Sequence, residues 1–228
     1  MKQIQLDKWN TEVFLPDLKK REVPFVFVNS DSDQGEALFR TLKEICDEDF
    51  ILICVNVDDW NDDLSPWPCE LIFKGTKPFA GKADLHLAKL LDHILPCVKE
   101  RLREEEVVSS YDAIAGYSLA GLFALYSAYK TEAFRKIVSA SGSLWYPGFL
   151  EFTRKNAPSP NVDSIYLSLG DKESHTKNKL MSTVSDMTQT ISDELGEISK
   201  VVYEMNEGNH FKDPDLRLAK GIAHILNT

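Results

Sequence analysis

Short apolar runs alternate along the chain with longer stretches in which apolar residues recur every three or four positions. The apolar runs cover residues 23–28, 50–57, 114–118, 137–141, 162–169 and 201–205. Continuous apolar runs of this length are typical of strands that are buried on both faces, as in a parallel sheet. The mixed segment that precedes them predicts a hairpin at the edge of the sheet, formed by residues 4–6 and 12–15.

Helical periodicity fills the stretches between the runs. Pro96 lies inside one periodic stretch and predicts a kink there, and Gly196 ends another. Asp213 and Pro214 predict the cap and first turn of a final helix. The apolar residues that recur at helical spacing in four of these stretches are Ala37, Leu38, Leu42 and Ile45; Leu87, Leu90, Leu91, Ile94, Leu95 and Val98; Leu180, Val184, Met187, Ile191 and Leu195; and Leu218, Ile222 and Ile225, the last three predicted to face inward.

Strands that alternate with helices of ten or more residues predict an α/β fold with a mainly parallel central sheet and helices on both faces. No internal repeat, low-complexity tract or linker interrupts the 228 residues, so we expect one domain over residues 1–228. A chain of this length buries roughly 70–75% of its unfolded surface, so the core needs no disulfide or metal to hold it together.

Charge and composition exclude several classes of function. Lys and Arg number 26 against 36 Asp and Glu, which gives a formal net charge of −10, and no basic run stands out. Nucleic acid and anionic membrane surfaces are therefore not expected as partners. No signal-peptide core and no run of membrane-spanning length is present, so the predicted location is the cytoplasm.

The cysteines give no sign of a metal or redox site. They form no Cys-x-x-Cys pair and no ligand cluster with histidine. We expect reduced, mostly buried thiols, and the sequence implies neither a metal nor a cofactor. The four positions are Cys46, Cys54, Cys69 and Cys97.

The stretch 112–121 carries the first chemical signal. It reads Asp-Ala-Ile-Ala-Gly-Tyr-Ser-Leu-Ala-Gly, an apolar strand that ends in a small-x-Ser-x-small pentad before a helical pattern. This order is typical of a nucleophile elbow, in which Gly116 and Ala120 are small because the turn brings them together, and Ser118 stands above the sheet. The amide of Leu119 would face the oxygen of a bound carbonyl. A serine in this position can also be a simple helix N-cap.

The remaining members of a nucleophilic triad follow in the order that this fold requires. Ser118 is followed by Asp171 or Glu173 and then by His210, each after a different predicted strand. Histidine must remove the serine proton, and a carboxylate must orient the imidazole and stabilise its cation. We favour Glu173, three residues past Gly170, and expect Asp171 to hydrogen-bond its own backbone.

The other histidines are weaker candidates for the base. His175 lies on the same predicted face but too near the acid to be a separate member of the triad. The others fall in predicted helices, where solvated or core-edge positions are expected; they are His86, His93 and His224.

Large aromatic residues fall on the same loops as the candidate triad. They are Trp60, Trp67, Trp145 and Tyr146, which we predict to line a substrate pocket. Such rings can also pin long loops to a sheet, and this alternative is strongest for Trp67, which lies between two prolines.

Several segments together resemble the putative esterase family of α/β-hydrolases, which includes esterase D, the enterochelin and other siderophore esterases, and the mycolyltransferases. These segments are Gly-Tyr-Ser-Leu-Ala-Gly at 116–121, Ser-Gly-Ser-Leu-Trp-Tyr at 141–146, Gly-Asp-Lys-Glu at 170–173 and Gly-Asn-His at 208–210. The stretch 59–68 resembles an uncharacterised bacterial branch of the family. The likeness extends over most of the chain from about residue 23.

The resemblance implies an α/β-hydrolase fold with Ser118 as nucleophile and His210 as base. It also implies that the second oxyanion donor is an amide in the turn formed by Ser30 and Asp31. The chain departs from the family there, because it has Asn29-Ser30 where many members carry a residue followed by glycine. Little chain remains beyond the sheet and its helices, so no separate lid domain is expected.

These observations predict a serine hydrolase that cleaves a small carboxylic ester through an acyl-enzyme. Its expected partner is the small-molecule ester itself. One alternative is a binding protein that has kept the fold without the chemistry, since fold does not imply function. Another is an acyltransferase that uses the same triad with an alcohol in place of water. The sequence leaves the oligomeric state open, a homodimer included.

Overall fold

The computed structural model describes residues 2–31, 34–70 and 77–228. These residues form a central eight-stranded sheet with the strand order β1-β2-β4-β3-β5-β6-β7-β8. The strands are β1 (Lys2–Leu6), β2 (Thr11–Leu15), β3 (Glu22–Ser30), β4 (Ile51–Asn56), β5 (Val108–Tyr117), β6 (Lys136–Ala140), β7 (Ser164–Gly170) and β8 (Lys200–Asn206).

The sheet is parallel except at one edge. β1 pairs antiparallel with β2, and β2 pairs antiparallel with β4, which makes the predicted edge hairpin. All pairings from β4 through β3, β5, β6 and β7 to β8 are parallel. The carboxyl ends of β3 to β8 therefore meet at one edge of the sheet, where ligands bind in open α/β sheets.

Helices cover both faces of the sheet, as the alternating pattern predicts. Their bounds are α1 (Gly35–Ile45), α2 (Trp60–Leu64), α3 (Ala83–Lys89), α4 (Leu95–Arg103), α5 (Leu119–Ser127), α6 (Phe149–Lys155), α7 (Val184–Gly196) and α8 (Pro214–Leu226). α1 and α8 pack on one face, where Leu42 and Ile222 belong to one apolar cluster. On the other face, Leu87 of α3, Phe123 of α5 and Ile191 of α7 belong to a second apolar cluster.

Two sequence predictions about helix ends need refinement. The chain before Pro96 forms a π-helical turn over Leu90–Ile94, which takes up the irregularity that a proline imposes on the preceding turn. Asp213 is the N-cap residue of α8, but its side chain makes no capping hydrogen bond, because its backbone is left-handed, with φ 51° and ψ 49°.

The cysteines are free thiols, with Cys46 and Cys54 buried and Cys69 and Cys97 partly exposed. In the described part of the chain, no helix has both the length and the apolar character to cross a membrane.

Candidate active site

The predicted elbow is the turn between β5 and α5. β5 ends at Tyr117 and α5 begins at Leu119, so Ser118 occupies the turn alone. Its φ of 60° and ψ of −121° are strained for a residue with a side chain. The Ser118 side chain makes no N-cap hydrogen bond, which contradicts the alternative that this serine only caps a helix.

Gly116 explains why the pentad needs small residues. A Cβ atom at Gly116 would lie 2.2 Å from both the carbonyl carbon and the carbonyl oxygen of Ala120. Any side chain would therefore push the strand away from the first turn of α5. The turn presents the Ser118 hydroxyl at the carboxyl edge of the sheet.

Three side chains from three separate loops meet at this edge. His210 Nε2 lies 3.1 Å from Ser118 Oγ, and His210 Nδ1 lies 2.7 Å from Glu173 Oε2. Ser118 follows β5, Glu173 follows β7 and His210 follows β8. Such a chain of contacts can carry a proton from the serine to an imidazole whose tautomer the carboxylate fixes.

Glu173 is a buried carboxylate that is held in its charged form. Its Oε1 atom accepts hydrogen bonds from Ser141 Oγ at 2.7 Å and from the Gly170 amide at 2.7 Å. Burial by itself raises the pKa of Glu173, but the hydrogen bond and charge interaction with His210, with these further donors, hold the pKa below its ordinary value. An ionised carboxylate is the form that stabilises an imidazolium.

Asp171 does not contact His210. Its Oδ1 atom accepts a hydrogen bond of 2.7 Å from the Gly208 amide, and its side chain is otherwise exposed. The prediction that Asp171 hydrogen-bonds its own backbone is therefore wrong, because its carboxylate accepts from the loop after β8 and so joins that loop to the loop after β7. His175 is exposed and outside this arrangement.

Two of the remaining histidines have ordinary surroundings. His93 is exposed and its ring stacks on Trp9, and His224 is half-buried against Tyr166. His86 differs, because it is buried and its Nε2 atom lies 2.7 Å from Asn29 Oδ1.

The candidate oxyanion donors follow two neighbouring strands of the sheet, β3 and β5. Leu119 is the first residue of α5, so its amide is at a helix N-terminus beside Ser118. Ser30 is the last residue of β3, the neighbour of β5 in the sheet, and Asp31 follows it. Ser30 Oγ donates to Asn56 Oδ1 at 3.1 Å, which ties this end of β3 to β4. Residues 32 and 33, the remainder of this predicted loop, lie outside the described residues.

A cavity of about 280 Å³ opens above Ser118. Apolar and aromatic side chains make up most of its wall, and its polar part consists of Ser118 and His210 with Asn61 and Ser143. The lining residues are Trp60, Asn61, Phe79, Ser118, Leu119, Ser143, Trp145, Met181, His210 and Phe211.

Trp67 and Tyr146 do not line this cavity, contrary to prediction. Trp67 donates from Nε1 to the Pro147 carbonyl at 2.9 Å and packs against Phe149, as expected of a ring that pins a loop. Tyr146 is buried, and its hydroxyl donates to the Trp67 carbonyl at 2.7 Å. Both rings support the wall from behind.

Sequence reasoning missed Arg217, which is fully buried beside Glu173. Its Nη1 atom lies 2.9 Å from Glu173 Oε1. A signal was available, because Arg217 directly precedes Leu218 on the inward face of α8, where a charged residue needs a buried partner. The pattern could not say which carboxylate that partner would be.

Among the described residues, no group of three or more His, Cys, Asp or Glu side chains could hold a metal ion.

Comparison with known proteins places these residues in context. The family model described as "Putative esterase" matches residues 7–211. The uncharacterized protein YbbA of Bacillus subtilis (strain 168) is 25% identical over 183 residues, which cover 76% of this chain and 71% of that protein.

Two solved structures share the fold. The siderophore hydrolase EstA from Aspergillus nidulans has a TM-score of 0.75 at 20% identity, over 99% of this chain and 93% of that one. An IroE-like serine hydrolase from Shewanella oneidensis also has a TM-score of 0.75, at 17% identity, over 99% of this chain and 79% of that one. The predicted α/β-hydrolase fold is confirmed.

Proposed function

The chain belongs to the Putative esterase family, and on that premise we propose that it is a serine hydrolase that cleaves a small carboxylic ester. Ser118 is the proposed nucleophile, His210 the general base and Glu173 the orienting acid. Family membership supports ester hydrolysis as the type of reaction. The observation that carries the finer proposal is the hydrogen-bonded chain from Glu173 through His210 to Ser118 at the floor of a cavity.

The proposed reaction has two halves. Ser118 Oγ attacks the ester carbonyl carbon while His210 Nε2 takes its proton, and the amide of Leu119 stabilises the oxyanion with an amide from the turn of Ser30 and Asp31. The carbon–oxygen bond to the leaving alcohol then breaks, and the imidazolium returns the proton to that alcohol. Water, deprotonated by His210, then attacks the acyl carbon. The bond from that carbon to Ser118 Oγ breaks, the imidazolium returns its proton to Ser118, and the carboxylic acid leaves.

The cavity favours an ester with a compact apolar or flat group. Trp60, Phe79 and Trp145 supply aromatic surface around Ser118. A volume of about 280 Å³ is at the small end of the range for small-molecule sites. EstA is a siderophore hydrolase, so a test panel of aryl and alkyl esters should include a siderophore ester.

The first test is labelling of the purified protein with a fluorophosphonate probe, located by peptide mass spectrometry. We expect the label on Ser118 in the wild type and none at this position in Ser118→Ala or His210→Ala. Ser143→Ala is the matched control, because Ser143 is the second serine among the described residues that line the cavity, with its Oγ 3.5 Å from Ser118 Oγ. That variant should still be labelled on Ser118.

Turnover of the ester panel completes the test. Ser118→Ala should lower kcat by about 10⁶-fold if the three residues act as a unit. Folded wild-type protein that takes up no label and cleaves no ester would overturn the proposal and favour a non-catalytic binding protein.

A further inference from the structure

Arg217 is one of the largest fully buried side chains, with 2% of its surface exposed. Its Nη1 atom donates to Glu173 Oε1 at 2.9 Å and to Ser141 Oγ at 3.2 Å, and its Nη2 atom donates to the Glu207 carbonyl at 3.0 Å. Nη1 also lies 3.4 Å from the Tyr117 hydroxyl. A buried guanidinium is costly unless hydrogen bonds and an opposite charge satisfy it, and these partners do so.

The backbone leaves room for this guanidinium. A Cβ atom at Gly170, the last residue of β7, would lie 2.8 Å from Arg217 Nη1 and 2.9 Å from Nη2. The Gly170 amide also donates to Glu173 Oε1. The end of β7 therefore accommodates the cation and the carboxylate together.

The two oxygens of Glu173 have separate surroundings. Oε1 accepts from Arg217, Ser141 and the Gly170 amide, and Oε2 faces His210 Nδ1. Three donors on one oxygen fix the rotation of the carboxylate. The other oxygen is thereby aimed at the imidazole.

The tyrosines near Glu173 carry no charge at neutral pH. Tyr117 on β5 and Tyr203 on β8 both have a pKa raised chiefly by burial, that of Tyr203 to about 12. Neither can offset the carboxylate charge.

Three other charged side chains of the surrounding loops have partners away from Glu173. Asp171 accepts from the Gly208 amide, and Lys212 pairs with Glu207 on the exposed side of the loop after β8. Among the described residues that contact Glu173, Arg217 is the permanently charged cation.

We propose that Arg217 is a positioning residue of the Ser118 site, which fixes Glu173 through Oε1 and limits how strongly that carboxylate attracts a proton to His210. This inference rests on the proposed function. A carboxylate that faces only the imidazole would stabilise the imidazolium with its full charge. The Arg217 guanidinium offsets part of that negative charge, so the His210 imidazolium gains less stabilisation from Glu173.

The test compares a neutral and a charged replacement. Arg217→Gln removes the cation and keeps a hydrogen-bond donor, and Arg217→Lys keeps the charge. The titration midpoint of the His210 imidazole is followed by NMR, with the His210→Ala spectrum to assign its resonances. We expect the midpoint to rise by roughly one pH unit in Arg217→Gln and to stay near the wild-type value in Arg217→Lys. Equal midpoints in all three proteins would overturn the proposal.

Ser141→Ala is the matched control. It removes a neutral donor from the same Oε1 atom, at 2.7 Å, without a change of charge. Its midpoint should stay close to that of the wild type, whereas a rise as large as that of Arg217→Gln would assign the effect to geometry instead of charge and overturn the charge role.

A second arm covers the case in which Arg217→Gln does not fold. Arg217→Gln leaves the Glu173 carboxylate buried without its cation, whereas a double variant leaves neither charge of the pair. We therefore compare Glu173→Gln/Arg217→Gln with Glu173→Gln, in which the new amide oxygen can still accept the hydrogen bond from Arg217. The double variant should have the higher midpoint by a similar amount, and equal midpoints would count against the proposal.

The acid limb of kcat/KM, measured on an ester that the wild type cleaves, should move in parallel with the NMR midpoint. The NMR titration needs no turnover, so it reports on Arg217 even if the protein cleaves no ester. A shifted midpoint without esterase activity would therefore contradict the proposed function and leave the electrostatic role of Arg217 intact.

Discussion

At the scale of single residues, the choice between two carboxylates depends on where each side chain points. Asp171 and Glu173 lie two positions apart in one loop, yet only Glu173 reaches His210. The longer Glu173 side chain is buried at the sheet edge, where Ser141 Oγ and the Gly170 amide donate hydrogen bonds to its carboxylate. The loop geometry, not the residue type, separates the two.

The first prediction concerns this pair. Glu173→Gln should lower kcat by about 10³–10⁴-fold, because an amide cannot stabilise the imidazolium and no longer enforces the productive tautomer. Asp171→Asn should lower it less than about tenfold, because its side-chain oxygen can still accept from the Gly208 amide. Steady-state kinetics on one ester would decide, and a larger loss in Asp171→Asn would mean that the acid is assigned to the wrong residue.

The second prediction concerns selectivity. Trp145 lines the cavity, so Trp145→Ala should enlarge it and change the ratio of kcat/KM between large and small acyl esters by about tenfold or more. Tyr146→Phe is the control, because Tyr146 is buried next to Trp145 but does not line the cavity. If the ester panel gave the same profile for Trp145→Ala and the wild type, Trp145 would have no role in the pocket.

At the scale of elements, His86 joins α3 to the end of β3. Its Nε2 atom lies 2.7 Å from Asn29 Oδ1, and its ring packs edge-on against Phe123 of α5. Asn29 directly precedes Ser30, so this contact anchors the strand end that leads into the proposed oxyanion turn. Burial lowers the pKa of His86 to about 4.

The third prediction follows from that burial. The folded protein keeps His86 neutral, whereas the unfolded chain protonates it near its ordinary pKa of 6.5. The unfolded state therefore binds more protons between the two values, and the free energy of unfolding should fall by about 3 kcal/mol as the pH drops from about 6.5 to about 4. Urea unfolding across this range measures the loss.

Substitution tests whether His86 is the group responsible. His86→Gln should remove most of this pH dependence, and His175→Gln, at an exposed position, should leave it unchanged. Identical slopes for His86→Gln and the wild type would assign the acid sensitivity to other groups.

At the scale of the whole molecule, the sheet separates two apolar cores. One core lies against α1 and α8, and the other against α3, α4, α5 and α7. α8 carries Arg217 to the site and also packs Gly221 onto β6 and β7. The packing of α8 on the sheet therefore affects both the stability of the fold and the surroundings of Glu173.

The fourth prediction tests the packing of α8 on the sheet. A Cβ atom at Gly221 would lie 2.5 Å from Val138 Cγ1 and 2.7 Å from Tyr166 Cδ1. Gly221→Ala should therefore destabilise the fold by about 1–3 kcal/mol through overpacking. Gly196 ends α7, and a Cβ atom added there would meet no other segment of the protein within 4 Å, so Gly196→Ala should be neutral or stabilising by about 0.5–1 kcal/mol. Thermal melting of both variants checks this, and equal melting temperatures would contradict it.

The sequence by itself determined the strands and the longer helices in their chain order, but not the short helices α2 and α6. Apolar runs and helical stripes depend on local burial and propensity, so they predicted the edge hairpin, the parallel strands and the helices between them. The elbow was readable for the same reason, because the small residues around Ser118 lie within a few positions of it. The candidate nucleophile, acid and base followed because each comes after a strand end, and parallel strands bring those ends together.

The tertiary structure decided the details that depend on contacts between distant segments. It decided which carboxylate faces His210, which aromatic rings line the cavity and which lie behind it, and that Arg217 and His86 are buried against Glu173 and Asn29. The sequence pattern shows which face of a helix or strand is buried, but not which residue of another element that face contacts. Side-chain direction and packing between segments fix that partner, and these exist only once the chain has folded.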